Sequence, residues 1–482
     1  MTARVWLAAA VSSIALITAC VTNPATGGRT FNILSEDREI ALGKQSDAQI
    51  RQEMGVYDDP EWQAYVSRVG QAMAKQSHRP SLPWTFTVLD ASAINAFALP
   101  GGYLYVTRGI LPFLRNEAEL ANVLGHEIAH VTALHGANAY SEQVVLGTSF
   151  GIASLFAGPR ERAVLEAANL ATGLLFLKHG RDAELEADSF GVQYAAQGGW
   201  NPSGMAGMLS TLGRLSDADG QSRGVPNFLS THPLPADRIE HVRDVAEKAR
   251  TASSTRVNED EFARRLDGLV FGDSREQGIV RGRDFLHPIM RIALTFPQGW
   301  TISNGSTAVN AVPPQGQGIG MVLDVIDAQG RTPAQAGRAA MEDAGFSLQS
   351  GDAISINGLN GWAGVFAGDD GQNTYGVRAA FLAHAGRVYR IAGIAPAASY
   401  ASAESTFATV IRSFRGMSQA EADAIQPARI DFHTARQGDT WESLAKSLGR
   451  GAVSANALAI MNGSSPSTPP AVGTRLRVVI GD

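Results

Sequence analysis

The chain has 482 residues, only 18% of them charged, and a formal net charge of -6 with no block of basic residues. That balance argues against a nucleic-acid partner, and the length is enough for about three domains with apolar cores of their own. The single cysteine, Cys20, rules out a disulfide within the chain.

The first nineteen residues carry Arg4, an apolar run from Val5 to Ile17, and then Thr18 and Ala19 ahead of Cys20. The run is too short to span a bilayer and has the order of an export signal. Ile17-Thr18-Ala19-Cys20 resembles a bacterial lipobox, which implies cleavage before Cys20 and lipid attachment to it. By resemblance to the bacterial sorting pattern, Val21 and Thr22, in place of an aspartate next to the cysteine, favour the outer membrane. Residues 20–34, with Asn23 to Gly28 at their centre, read as a flexible tether.

A helix is predicted from the cap candidate Ser35 to about Met54, and a second from Glu61 to Gln76. The period then changes to two. Trp84, Phe86 and Val88 mark one strand and Tyr103 to Thr107 another, joined through Asn95 to Gly102. An open edge here would hold an extended peptide by main-chain pairing, which makes Asn95, Ala96 and Phe97 candidate substrate contacts. A purely structural hairpin fits the same residues.

His126-Glu127-Ile128-Ala129-His130 lies inside a helical apolar pattern from Glu119 to Leu134. Histidines at i and i+4 project from one face, where they can share one Zn²⁺. Glu127 sits where its carboxylate can take a proton from the attacking water, so it suits a general base better than a ligand. Two imidazoles and a carboxylate among Leu120, Val123, Leu124 and Ile128 need partners if they are buried.

Two apolar stretches, Val144–Ala157 and Ala163–Leu177, read as a helical hairpin over the cleft, with membrane contact the weaker reading. Glu184 and Asp188 share a helix face, so Glu184 can be a third ligand while Asp188 supports an imidazole or a helix terminus; a solvated acidic face is the plainer alternative. His232, in a proline-flanked loop, can take the open coordination position or donate to the oxyanion. Arg238 can stabilise the same oxyanion or be a surface residue at a helix start.

His126 to His130, a distant Glu184-x-x-x-Asp188 preceded by Arg181, the Asn95–Gly102 stretch and Ser230–Arg238 together resemble the M48 family of zinc metallopeptidases, over about residues 29–250. The resemblance is closest to periplasmic members that act in outer-membrane protein quality control. It implies one zinc per chain on His126, His130 and Glu184, with Glu127 as base.

A charged segment from Lys248 to Arg265 is expected to separate this domain, residues 35–250, from an accessory α+β domain at 278–415. Residues 430–482 resemble the LysM module through Gly438-Asp439-Thr440 and Asn462, which implies binding to peptidoglycan.

The expected fold class is therefore α+β and multidomain: a mainly helical zincin-type domain with a small sheet, a second α+β domain and a terminal βααβ module. The expected function is endopeptidase action on misfolded or unassembled envelope proteins by an outer-membrane lipoprotein facing the periplasm. The alternative is a periplasmic chaperone or cell-wall tether with a latent or structural zinc site.

Overall fold

The computed structural model describes residues 20–146, 179–218, 227–234, 237–305, 307–316, 318–369 and 373–481. The expected leader at 1–19 and all but the first residues of the expected hairpin at 144–177 lie outside them.

Strands β1 (Cys20–Thr22) and β2 (Arg29–Phe31) pair antiparallel. The expected tether is thus a fastened hairpin. Asn23 donates through Nδ2 to the Ala133 carbonyl at 2.8 Å and accepts through Oδ1 from the N–H groups of Ala25 and Thr26. Asparagine closes turns in this way, a chemistry that the glycines alone do not disclose.

Helices α1 (Glu36–Met54) and α2 (Pro60–Ala74) follow. Asp59 caps α2 by accepting from the N–H groups of Glu61 and Trp62, and Pro60 fits the first turn because its missing N–H has no partner to lose there. The next three strands are β3 (Thr85–Leu89), β4 (Ala96–Leu99) and β5 (Tyr103–Thr107). They form a sheet in the order β3-β5-β4, with β4 antiparallel to β5. The stretch expected as a connection is therefore itself a strand. Its outer edge is unpaired among the described residues.

Helix α3 (Glu117–Thr132) is buried along its whole length. Two of its polar residues outside the histidine motif bond within the fold: Glu117 accepts from Trp200 Nε1 at 2.8 Å and Asn258 Nδ2 at 2.6 Å, and Asn122 donates through Nδ2 to the carbonyls of Ala118 and Asn201. Around it lie α4 (His135–Leu146), α5 (Arg181–Gln197), α6 (Gly204–Ala218), α7 (Asn227–Thr231) and α8 (Arg238–Ala249). No described helix is long and apolar enough to cross a membrane.

The core does not end near residue 250. The charged segment expected as a separator contains α9 (Glu259–Leu266), whose Phe262 and Leu266 are fully buried in the same apolar cluster as Trp62 and Leu124. Their four-residue spacing makes an apolar stripe within a charged sequence. Strand β6 (Val270–Phe271) then pairs with β18 (Ala428–Thr434), so the intervening chain leaves and returns at neighbouring points.

That intervening chain is rich in β-structure. Strands β7 (Ile279–Arg281), β8 (Asp284–His287), β9 (Ile292–Thr295) and β17 (Arg415–Gly416) make a four-stranded sheet in the order β17-β9-β8-β7. A seven-stranded antiparallel sheet contains β10 (Thr301–Asn304), β11 (Ala308–Val312), β12 (Gly320–Ile326), β13 (Ser347–Ile356), β14 (Leu359–Asp369), β15 (Thr374–His384) and β16 (Arg387–Pro396). Helices α10 (Pro333–Asp343) and α11 (Ala397–Ser413) pack on it. Strands β13 and β14 carry little β signal in the sequence, because Ser, Gly, Asn and Asp dilute their β-branched residues.

After β18 come α12 (Trp441–Ser447), α13 (Ala455–Met461) and β19 (Arg475–Ile480), with β18 and β19 paired antiparallel. Trp441, Leu458 and Val478 join the apolar cluster that surrounds α3. Arg477 is buried and donates to three carbonyls, those of Pro112 at 3.1 Å, Leu114 at 2.6 Å and Arg115 at 2.7 Å. Burial pulls its pKa down to about 10. Arg477→Ala is expected to lower unfolding stability by about 2–4 kcal/mol, because three buried carbonyls lose charged donors. Denaturant unfolding checks this; a loss below about 0.5 kcal/mol would mean that the terminal unit rests loosely on the core.

Candidate metal centre and cleft

Helix geometry supplies the first half of the site. His126 and His130 project from the same face of α3, and their Nε2 atoms lie 3.0 Å apart. The second half comes from α5, which crosses α3 at Gly125 and Gly191. A Cβ on Gly191 would sit 2.6 Å from the backbone nitrogen of His126, and one on Gly125 would sit 2.6 Å from the Gly191 carbonyl. Only glycine at both positions permits this approach. It brings Glu184 Oε1 to 3.4 Å from His130 Nε2, and Glu184 Oε2 to 3.6 Å from His126 Nε2.

His232 enters from the loop after α7. Its Nδ1 lies 3.0 Å from Glu184 Oε1 and 3.3 Å from His126 Nε2, and its Nε2 lies 3.6 Å from Glu127 Oε1. One ligating atom from each of His126, His130, Glu184 and His232 falls within 4.8 Å of every other, and all four residues are buried.

Asp188 Oδ1 lies 2.9 Å from His126 Nδ1. A carboxylate there holds the ring proton on Nδ1 and leaves the Nε2 lone pair facing the other donors. Several lone pairs turned to one buried point repel one another unless a cation lies between them, so the residues fit a metal. Nitrogen and carboxylate ligands in this number suit zinc.

Arg238 is fully buried behind the cluster. It donates to Asp188 through Nε at 2.7 Å and Nη2 at 2.9 Å, and its Nη1 lies 2.7 Å from Glu184 Oε2. Nη1 also reaches the carbonyl of Pro233 at 2.9 Å. It does not line the cleft. Both expectations for Arg238, oxyanion donor and surface residue, give way to a positioning role, because Asp188 and Glu184 hold the guanidinium on the far side of the ligands.

The electrostatics follow from burial and these neighbours. Burial raises the pKa of Glu127 above the usual carboxylate range, although His232 and His126 oppose it. Burial also pushes Glu184 upward, but the nearby His232, the hydrogen bonds from His130 and His232 and the proximity of His126 outweigh it and leave Glu184 ionised. Asp188 is held low despite burial, mainly by its hydrogen bonds to Arg238 and His126. Burial, then the proximity of His179, takes His130 well below its ordinary value.

The cleft is lined by Phe97, Ala98, Leu99 and Pro100 on one side and by Glu127, His130, His179 and His232 on the other. Phe97 thus lies where a substrate contact is expected, but Asn95 and Ala96 do not line the cleft. The N–H of Asn95 donates to Thr107 Oγ1, and Ala96 is packed into the core.

Two residues beyond the expected set complete the surroundings. His135 Nδ1 lies 2.9 Å from His130 Nδ1, and His135 Nε2 lies 3.3 Å from Glu186 Oε1. The ring of His179 stacks on that of His130, with centroids 4.0 Å apart, and burial and His232 take its pKa down to about 3. The glycine crossing leaves a signal in the sequence, since Gly125 and Gly191 each cost a helix interior about 1 kcal/mol without a packing reason.

Two histidines one helical turn apart, a glutamate beside the first of them and a carboxylate from a second helix, all at a cleft beside an open strand edge, define the metallopeptidase class. Residues 60–246 match Peptidase family M48. The mitochondrial metalloendopeptidase OMA1 of Schizosaccharomyces pombe is 32% identical over 238 residues, covering 48% of this chain and 68% of that protein. The chain belongs to peptidase family M48. The beta-barrel assembly-enhancing protease of Yersinia pestis is 31% identical over 243 residues, 48% of this chain and 49% of that protein. The metalloprotease YcaL of Escherichia coli is 28% identical over 163 residues, 34% of this chain and 62% of that protein. The chain spans about half the length of the assembly-enhancing proteases that it matches.

Proposed function

We propose that this chain is a zinc-dependent endopeptidase that hydrolyses misfolded or unassembled proteins of the cell envelope. The observation that carries the reading is the convergence of His126, His130 and Glu184 beside the buried Glu127 carboxylate, at the cleft bordered by β4. Zinc, when bound by those three residues, polarises the scissile carbonyl and makes water more acidic.

The chain's own residues do the rest. The unpaired edge of β4 holds the substrate backbone in an extended form. Glu127 takes a proton from the attacking water and passes it to the leaving amine, a role suited to a carboxyl whose pKa burial raises above the usual carboxylate range. Asp188 keeps the His126 lone pair turned inward, and Arg238 fixes Asp188 and Glu184 in turn. The substrate class rests on the relatives named assembly-enhancing proteases.

His232 supports a second element of the reading. Its nitrogen lies within the donor set, so neutral His232 serves as a fourth ligand in a resting, latent state. The test of the whole reading is the zinc content of the purified chain measured beside cleavage of an unfolded protein. About one zinc per chain is expected from a single three-histidine-and-glutamate cluster, and a chelator should remove metal and activity together. Full cleavage by metal-free protein would sink the proposal.

The localisation reading is a lipid anchor on Cys20 at the outer membrane, facing the periplasm, with the terminal βααβ unit on peptidoglycan. Cys20→Ser is expected to move the protein from sedimenting membranes to the soluble periplasmic fraction, while the intact chain sediments with isolated peptidoglycan. Unchanged membrane association removes the anchor, and no sedimentation with peptidoglycan removes the wall-binding role.

A further inference from the structure

Helix α7 is five residues long, and the described residues pin it at both ends. At its start the N–H of Phe228 donates to the Ile94 carbonyl at 3.1 Å, in the loop that leads into β4. At its end the Thr231 carbonyl accepts from the N–H of His179 at 3.1 Å. Between these pins the Phe228 carbonyl accepts from the N–H of His232 at 2.7 Å and from Thr231 Oγ1 at 3.2 Å.

The Phe228 side chain is fully buried, and its ring stacks on the His232 imidazole with centroids 4.4 Å apart and planes 23° apart. The same ring lies 6.2 Å from that of His126. The backbone hydrogen bond of His232 leaves its imidazole free to rotate about χ2, which is a broad torsion. A flat apolar face against it fixes the plane of the ring, and within that plane the contact of Nδ1 with Glu184 Oε1 at 3.0 Å selects the nitrogen that faces the donor set.

We infer that Phe228 is a positioning residue for His232: its backbone sets the depth at which His232 enters the metal site, and its ring sets the plane of the imidazole. This rests on the reading of His232 as a fourth metal ligand. The Ile94 anchor ties that placement to the strand proposed to hold substrate, so His232 and the substrate edge share one hydrogen-bonded wall.

The test is zinc affinity of the full chain, read by competition with a chromogenic chelator, together with thermal unfolding. His232→Ala is expected to weaken zinc binding about tenfold, and Phe228→Ala by a similar factor, in the range seen when a partner that orients a metal ligand is lost. Phe228→Leu, which keeps most of the apolar volume and loses the flat face, is expected to act in the same direction and guards against unfolding of the alanine variant. Phe228→Tyr should restore affinity to within about twofold, since the aromatic face remains.

The decisive result is the double variant. If Phe228 acts through His232, Phe228→Leu adds nothing to the loss caused by His232→Ala. Additive losses, or Phe228 variants that bind zinc normally while His232→Ala does not, overturn the positioning role alone. Normal zinc binding by His232→Ala overturns the ligand reading, and the inference with it.

Discussion

Glu127→Gln is expected to retain zinc at the parent stoichiometry and to lose cleavage of an unfolded protein by about 10³-fold or more, within the span attributed to a positioned acid–base group and toward its upper end. Glutamine occupies nearly the same volume and leaves His126, His130 and Glu184 in place. It cannot accept a proton from water or deliver one to the leaving amine. Zinc stoichiometry by atomic spectroscopy and a single-turnover rate check the two halves of the prediction separately. Activity equal to the parent would remove Glu127 from the mechanism. Loss of zinc would instead mean that its buried carboxylate supports the ligands.

His232→Ala has the second large expected effect, and its sign carries the information. With Nδ1 at 3.0 Å from Glu184 Oε1 and 3.3 Å from His126 Nε2, the ring fills the fourth position of the proposed ligand set, where the water that Glu127 is proposed to deprotonate would bind. Removing it is expected to raise basal proteolysis while three ligands keep the metal. An oxyanion donor would give the opposite result, a fall of about a hundredfold with zinc binding unchanged. Burial favours neutral His232, but the Glu184 and Glu127 carboxylates outweigh it and raise its pKa in the absence of a cation. A bound cation opposes a proton on the same ring, so the ligand role requires the neutral form.

Local chemistry was legible because it needs only short-range periodicity. The i,i+4 spacing of His126 and His130 places both rings on one helix face whatever else the chain does, and the same holds for Glu184 and Asp188. Family membership follows from those residues and the loops around them. The alternation in Trp84, Phe86 and Val88 likewise reports a strand, observed as β3. Asn95 to Leu99 were less legible, since a four-residue edge strand is too short for its alternation to stand out from a connection.

The sequence by itself determined which atoms can ligate and which helices carry them, because residue type and helical pitch are properties of the local chain. Only the tertiary structure decided how those atoms meet. The crossing of α3 and α5 depends on two glycines whose close approach is a fact of packing. Arg238 is a buried support because Asp188 and Glu184, on another helix, reach it first. Arg477 binds the terminal unit to carbonyls as far as 365 residues away in sequence. Such contacts are set by which apolar faces bury against one another across the whole chain, and no window of residues around Arg238 or Arg477 contains the partner that gives it its role.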